Sequence, residues 1–167
     1  MKILAKDLKR DCRHFRGDIP CMPHKQHGVH CIDEEGRDCQ YYQPVDKKIL
    51  IIKLGAIGDV IRTTPLLRKL KEVESRAEIW LLTRTPEVVP KDVDFILPVT
   101  IESLTILRAV TFDIVYNLDK DKEACALLNS VSADIKKGFC LKGGKPAPVD
   151  NDALHKFSTG LFDDLNK

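Results

Sequence analysis

At 167 residues, 43% of them hydrophobic, the chain has material for one core and a small annex, and not for a two-domain enzyme. Its 27 lysines and arginines balance 25 acidic residues without a long block of either sign, so nothing marks a nucleic-acid or polybasic membrane surface. No stretch nears the ~20 consecutive apolar residues of a membrane span, and the opening Met1-Lys2-Ile3-Leu4-Ala5-Lys6-Asp7 is charged too early for a secretory signal, so a cytoplasmic chain is expected.

Residues 1–46 show little periodicity and hold four of the six cysteines and four of the five histidines. Cys12, Cys21, Cys31 and Cys39 lie among Gly17, Pro20, Pro23, Gly28, Gly36 and Pro44, a loop-rich composition that needs a staple to keep one shape. The cysteines are separated by eight, nine and seven residues, which is not the paired Cys-x-x-Cys pattern of zinc knuckles. One close pair exists in Cys21-Met22-Pro23-His24, so Cys21 and His24 can share an ion with two of Cys12, Cys31 and Cys39. Four thiolates, or three with a histidine, suit a structural tetrahedral zinc. An iron–sulfur cluster is the second reading, and disulfides fit a cytosolic chain poorly. His14, His27 and His30 are expected to be solvated.

From residue 47 onward strands and helices alternate. Aliphatic, β-branched runs mark strands at Lys48–Leu54, Glu78–Thr83, Phe95–Pro98, Asp113–Asn117 and Ile135–Phe139. Spacings of three and four mark helices at Thr64–Val73, Ser103–Ala109 and Lys122–Val131. The order β-α-β-β-α-β-α-β predicts an α/β fold, a Rossmann-like parallel half-sheet with right-handed crossovers and ligands at the carboxyl ends of its strands. Thr64-Pro65 reads either as a cap and first turn, leaving 55–63 a loop or separate turn, or as a kink in one helix from Gly58. Gly143–Pro148 reads as a loop and Ala153–Leu165 as a final helix. Cys125 and Cys140 are expected as small buried apolar residues.

The segment of most chemical interest is Gly55-Ala56-Ile57-Gly58-Asp59-Val60, where the first strand hands over to a helix. It lacks the glycine spacing of a dinucleotide fingerprint and the Gly-Lys-Ser/Thr of a phosphate loop, which argues against an NAD fold and an NTPase. Asp59 is either a helix-capping carboxylate or a functional one. Asn117, Asp119 and Lys120, at the end of the fourth strand, are either polar loop residues or groups that reach sugar hydroxyls, and Lys53 is expected as a solvent-facing strand end.

The span Ile49–Val73 with the Glu78–Thr83 strand resembles the opening of glycosyltransferase family 9, the heptosyltransferases of the lipopolysaccharide inner core. The matching residues are Lys53, Gly55-Ala56, Gly58-Asp59 and Thr63-Thr64-Pro65-Leu66-Leu67. The pattern continues in kind through Phe112–Asp119 and covers about residues 48–165, leaving out 1–46. The resemblance implies the amino-terminal, acceptor-binding half of a GT-B transferase with two Rossmann-like domains. Asp59 would be the base of an inverting transfer that needs no metal, and Gly55, Ala56, Gly58, Asn117 and Asp119 would line the acceptor site. The partners implied are a nucleotide sugar, held mostly by the other half, and a glycan or lipid-linked acceptor at the inner membrane face. The isolated chain is then expected to transfer no sugar. The alternative is a non-catalytic interaction module in which a metal-stapled annex recruits a partner and the sheet is a scaffold.

Overall fold

In a computed structural model, residues 5–91 and 93–162 are described. The first four residues, weighed above against a secretory signal, and residues 163–165 of the expected last helix lie outside them. The chain forms two compact units, Met1–Asp46 and Lys47–Lys167. No helix among the described residues is long and apolar enough to cross a membrane.

The first unit is built from turns. Among the described residues a 3₁₀ turn spans Ala5–Asp7, and one short helix, α1 (Met22–His27), carries Pro23 in its first turn and ends where Gly28 turns left-handed at φ 68°. Isolated bridges join Cys12 to Pro44 and Ile32 to Asp38. The loop inside the second bridge is closed by Asp33, which accepts the backbone N–H groups of Glu35 and Arg37 at 3.0 and 2.8 Å.

The second unit is a six-stranded sheet. Its strands are β1 (Lys47–Ile52), β2 (Ala77–Thr83), β3 (Phe95–Pro98), β4 (Thr111–Asn117), β5 (Ser132–Lys142) and β6 (Lys145–Pro148). They lie in the order β3-β2-β1-β4-β5-β6, with every pairing parallel except β5 with β6. The helices are α2 (Ile57–Ile61), α3 (Thr64–Val73), α4 (Ile101–Ala109), α5 (Lys122–Ser130) and α6 (Asn151–Leu161).

β1 is apolar without alternation because both faces of the sheet are covered. Leu50, Ile52, Trp80 and Leu82 pack with Leu107 of α4 and Ala124 and Leu128 of α5. Ile51, Ile79 and Leu81 pack on the opposite face with Val60 of α2 and Leu67 of α3. The five expected strands and the parallel half-sheet are present, and the two readings of Thr64-Pro65 resolve into two helices. α3 starts at Thr64, and the buried Thr63 hydroxyl donates to Val60 O at 2.6 Å in the junction.

One expectation is corrected. Gly143–Pro148 is a hairpin rather than a loop: Lys142 pairs with Lys145 across a two-residue turn, with Gly143 and Gly144 at φ 56° and 75°. Both turn positions require positive φ, which glycine supplies without strain. The antiparallel partner extends β5 to eleven residues.

Candidate functional site

β1 and β4 are adjacent in mid-sheet, with β2 and β3 on one side and β5 and β6 on the other. The strand order reverses between them, so the loops leaving their carboxyl ends diverge around a crevice, the place where open α/β sheets hold ligands. Residues 53–56 leave β1 there and residues 118–121 leave β4.

The floor of this crevice is a buried ion pair. Lys53, only 8% exposed, donates its ammonium to Asp119 Oδ1. Asp119, 7% exposed, also accepts the backbone N–H of Leu54 and, at 3.0 Å, that of Gly55. One carboxylate thus ties the two loops together and neutralises the lysine, as a buried charge requires. The expectation of a solvent-facing Lys53 is corrected: its stem is enclosed by the sheet end and its charge is spent on Asp119. The signal was present in the sequence as two apolar runs ending in opposite charges, Lys53 and Asp119.

Asn117 lies beneath the crevice with no exposed surface. Its amide N–H donates to Phe139 O at 2.6 Å, and its carbonyl oxygen accepts from the Asp119 N–H at 3.0 Å. Asn117 and Asp119 are thus both engaged within the protein and hold the loop in shape. Cys125 is fully buried at 3.7 Å from Asp119 O, and burial pushes its thiol up, while Cys140 is half-buried.

Asp59 stands above this floor, in the first turn of α2. Its carboxylate is half-exposed, with Oδ2 3.8 Å from Lys53 Nζ and Oδ1 3.8 Å from Arg62 Nη1. Both distances exceed a hydrogen bond, so two cations orient the group without consuming its lone pairs. Gly55 is needed by space: a Cβ there would sit 2.8 Å from Lys53 Nζ, 3.3 Å from Asp119 Oδ1 and 3.6 Å from Asp59 Oδ2. A Cβ at Gly58 would meet nothing within 4 Å, so space alone does not require glycine there. Ala56 precedes α2 in extended geometry and is exposed, and Ile57 and Ile61 stand exposed on either side of Asp59.

In the first unit Cys12, Cys21, Cys31 and Cys39 are free and half-buried. Cys21 caps α1, and His24 Nδ1 lies 2.9 Å from Val29 O. His30 packs edge-on to His24, and His27 stacks on Tyr41. Among the described residues, no three Cys, His, Asp or Glu side chains stand close enough together to hold one metal ion.

No family model and no curated protein sequence matches the chain. Among solved structures it is similar to a glycosyltransferase of family 9 from Veillonella parvula, with 24% identity and a TM-score of 0.48 over 55% of this chain and 31% of that one. It is also similar to E. coli heptosyltransferase WaaC with ADP, with 20% identity and a TM-score of 0.47 over 55% of this chain and 34% of that one. The same enzyme with ADP-2-deoxy-2-fluoro heptose gives 19% identity and a TM-score of 0.46 over 36% of its length. This chain spans about a third of the length of each of these structures.

Proposed function

We propose that residues 47–167 are the acceptor-binding part of an inverting glycosyltransferase, with Asp59 as the base. The observation that carries this reading is a half-exposed carboxylate standing at the carboxyl edge of a parallel sheet, at the reversal of its strand order, held by cations and not consumed by them. The resemblance of Ile49–Val73 to the opening of family 9 supports it.

In the proposed reaction Asp59 takes the proton of an acceptor hydroxyl as that oxygen attacks the anomeric carbon of a nucleotide sugar. The nucleoside diphosphate leaves from the opposite face, so the configuration inverts. Proton removal by a positioned carboxylate contributes ~10²–10⁴ in rate. The Lys53–Asp119 pair acts on this step by fixing the loop from which Asp59 projects.

The test uses this chain joined in one protein to a donor-binding lobe, assayed with a nucleotide heptose and a glycan acceptor. Asp59→Ala is expected to lower kcat by ~10²–10⁴ while KM for the acceptor changes far less. A variant that keeps the parent rate removes Asp59 from the chemistry.

A further inference from the structure

Residues 31–39 fold back on themselves around the isolated antiparallel bridge between Ile32 and Asp38. The two hydrogen bonds that frame this bridge run from the Asp33 N–H to Arg37 O at 2.9 Å and from the Cys39 N–H to Cys31 O at 3.0 Å. In an antiparallel pair that pattern sets Cys31 directly opposite Cys39, with Cα atoms about 5.5 Å apart and side chains on one face. Both cysteines are free and half-buried, and both line one cavity of about 590 Å³. A disulfide accepts Cα separations of about 4.4–6.8 Å, so the backbone already meets its first requirement.

The remaining cysteines are placed differently. Cys12 faces Pro44 across its bridge, Cys21 opens α1, and Cys140 faces Ala147 of β6. Cys125 is fully buried, and burial pushes its thiol up, which withholds the thiolate that disulfide exchange needs. The Cys31–Cys39 pairing also carries a built-in tension. Directly opposed Cβ atoms stand about 4.5–5.5 Å apart, whereas a disulfide draws them to about 3.5–4.5 Å. Closing the bond pulls the two arms of the turn together, and that strain makes the bond easy to reduce.

We propose that Cys31 and Cys39 form a reversible disulfide, a redox-sensitive staple across this turn. The oxidant is a small-molecule disulfide. One cysteine thiolate attacks it, the oxidant's S–S bond breaks, and one small thiolate leaves; the second cysteine thiolate then attacks the protein's sulfur in the mixed disulfide and expels the other. The protein gives up two electrons and two protons, and the oxidant becomes two thiols. The bond adds a covalent tie to a segment that Asp33 already closes through the N–H groups of Glu35 and Arg37.

The experiment treats the whole reduced chain with glutathione disulfide, blocks the remaining thiols by alkylation and maps the tryptic peptides by mass. Trypsin cuts after Lys25, Arg37 and Lys47, so a Cys31–Cys39 bond joins peptides 26–37 and 38–47 in one mass, two hydrogens below their sum. That species is expected, with the loss of two of the six free thiols. The same reaction in urea is the control. Cys12, Cys21, Cys31 and Cys39 are separated by eight, nine and seven residues, so an unfolded chain should link all three neighbouring pairs to similar extents. A native chain that gives this same mixture overturns the proposal, as does one that gives only mixed disulfides with glutathione or no reaction. Excess reduced glutathione should restore both thiols, and a bond that it does not reopen overturns the claim of reversibility. The wild-type chain suffices for every arm.

Discussion

Asp119 and Asp59 are neighbouring carboxylates, one buried and tightly paired and the other half-exposed and loosely paired, and mutation should separate them. Asp119→Ala leaves the Lys53 ammonium buried without its partner and frees two backbone N–H groups. Breaking one side of a buried pair costs about 3–5 kcal/mol. Chemical denaturation of Asp119→Ala should show a loss in that range, whereas Asp59→Ala, half-exposed and loosely paired, should stay within about 0.5 kcal/mol of the parent. A mild Asp119→Ala would mean that the pair is not what holds the loop. The position of Asp59 was legible in the sequence, because an aliphatic run closed by glycines marks the turn from strand to helix. The burial of Asn117 and Asp119 was not, because a polar residue closing a strand looks the same in sequence whether its partners are backbone or sugar.

At the scale of elements, β5 is held to β4 by a contact that only glycine permits. Gly138 lies at φ 96°, and a Cβ there would stand 1.8 Å from Asn117 O. Gly138→Ala combines backbone strain with a clash into the neighbouring strand, a loss of about 3 kcal/mol or more. A thermal melt close to wild type would show that β5 can shift without cost. α6 is fastened at its start by Asp150, which accepts the Ala153 N–H and the Gly138 N–H, each at 2.8 Å. Partial burial pushes its carboxyl up, but these donations outweigh burial and hold it below the usual range. A lowered folded value adds stability that is present above the unfolded value of ~3.9 and is lost as pH falls through the folded one. Asp150→Asn can still cap Ala153 but cannot titrate there. In urea melts the wild-type advantage over Asp150→Asn should therefore shrink between pH 7 and pH 3, and a constant gap would deny Asp150 this role. The parallel strands were legible from their unbroken aliphatic runs. β6 was not, because Pro146 and Pro148 argue against a strand unless it lies at an edge, and edge position is a property of the assembled sheet.

For the whole molecule, the topology of Lys47–Lys167 followed from the alternation of strand and helix periods, since short parallel crossovers leave few orders open. The architecture of Met1–Asp46 was illegible because turns carry no period. Its cysteines led to the expectation of a staple, and their spacing along the chain did not fix how they lie in space. On the proposed reading the donor is held mostly by a second lobe, so the 167-residue chain mixed with nucleotide heptose and acceptor should give no glycan product by mass spectrometry. Turnover by the chain alone would contradict the proposed division of labour between two lobes.

The hairpin at the end of the sheet limits what the sheet can recruit. The Val149 N–H donates to Gly138 O at 2.8 Å, so alternate residues Ala147 and Lys145 also turn their N–H groups toward β5. Pro146 and Pro148 occupy the intervening positions, and the outward rim of β6 lacks an amide donor at both. A ninth or tenth copy of this protein, or any extended peptide drifting past in a crowded solution, finds no ladder to climb on that side, and stacking of sheets end to end is blocked by two missing hydrogens.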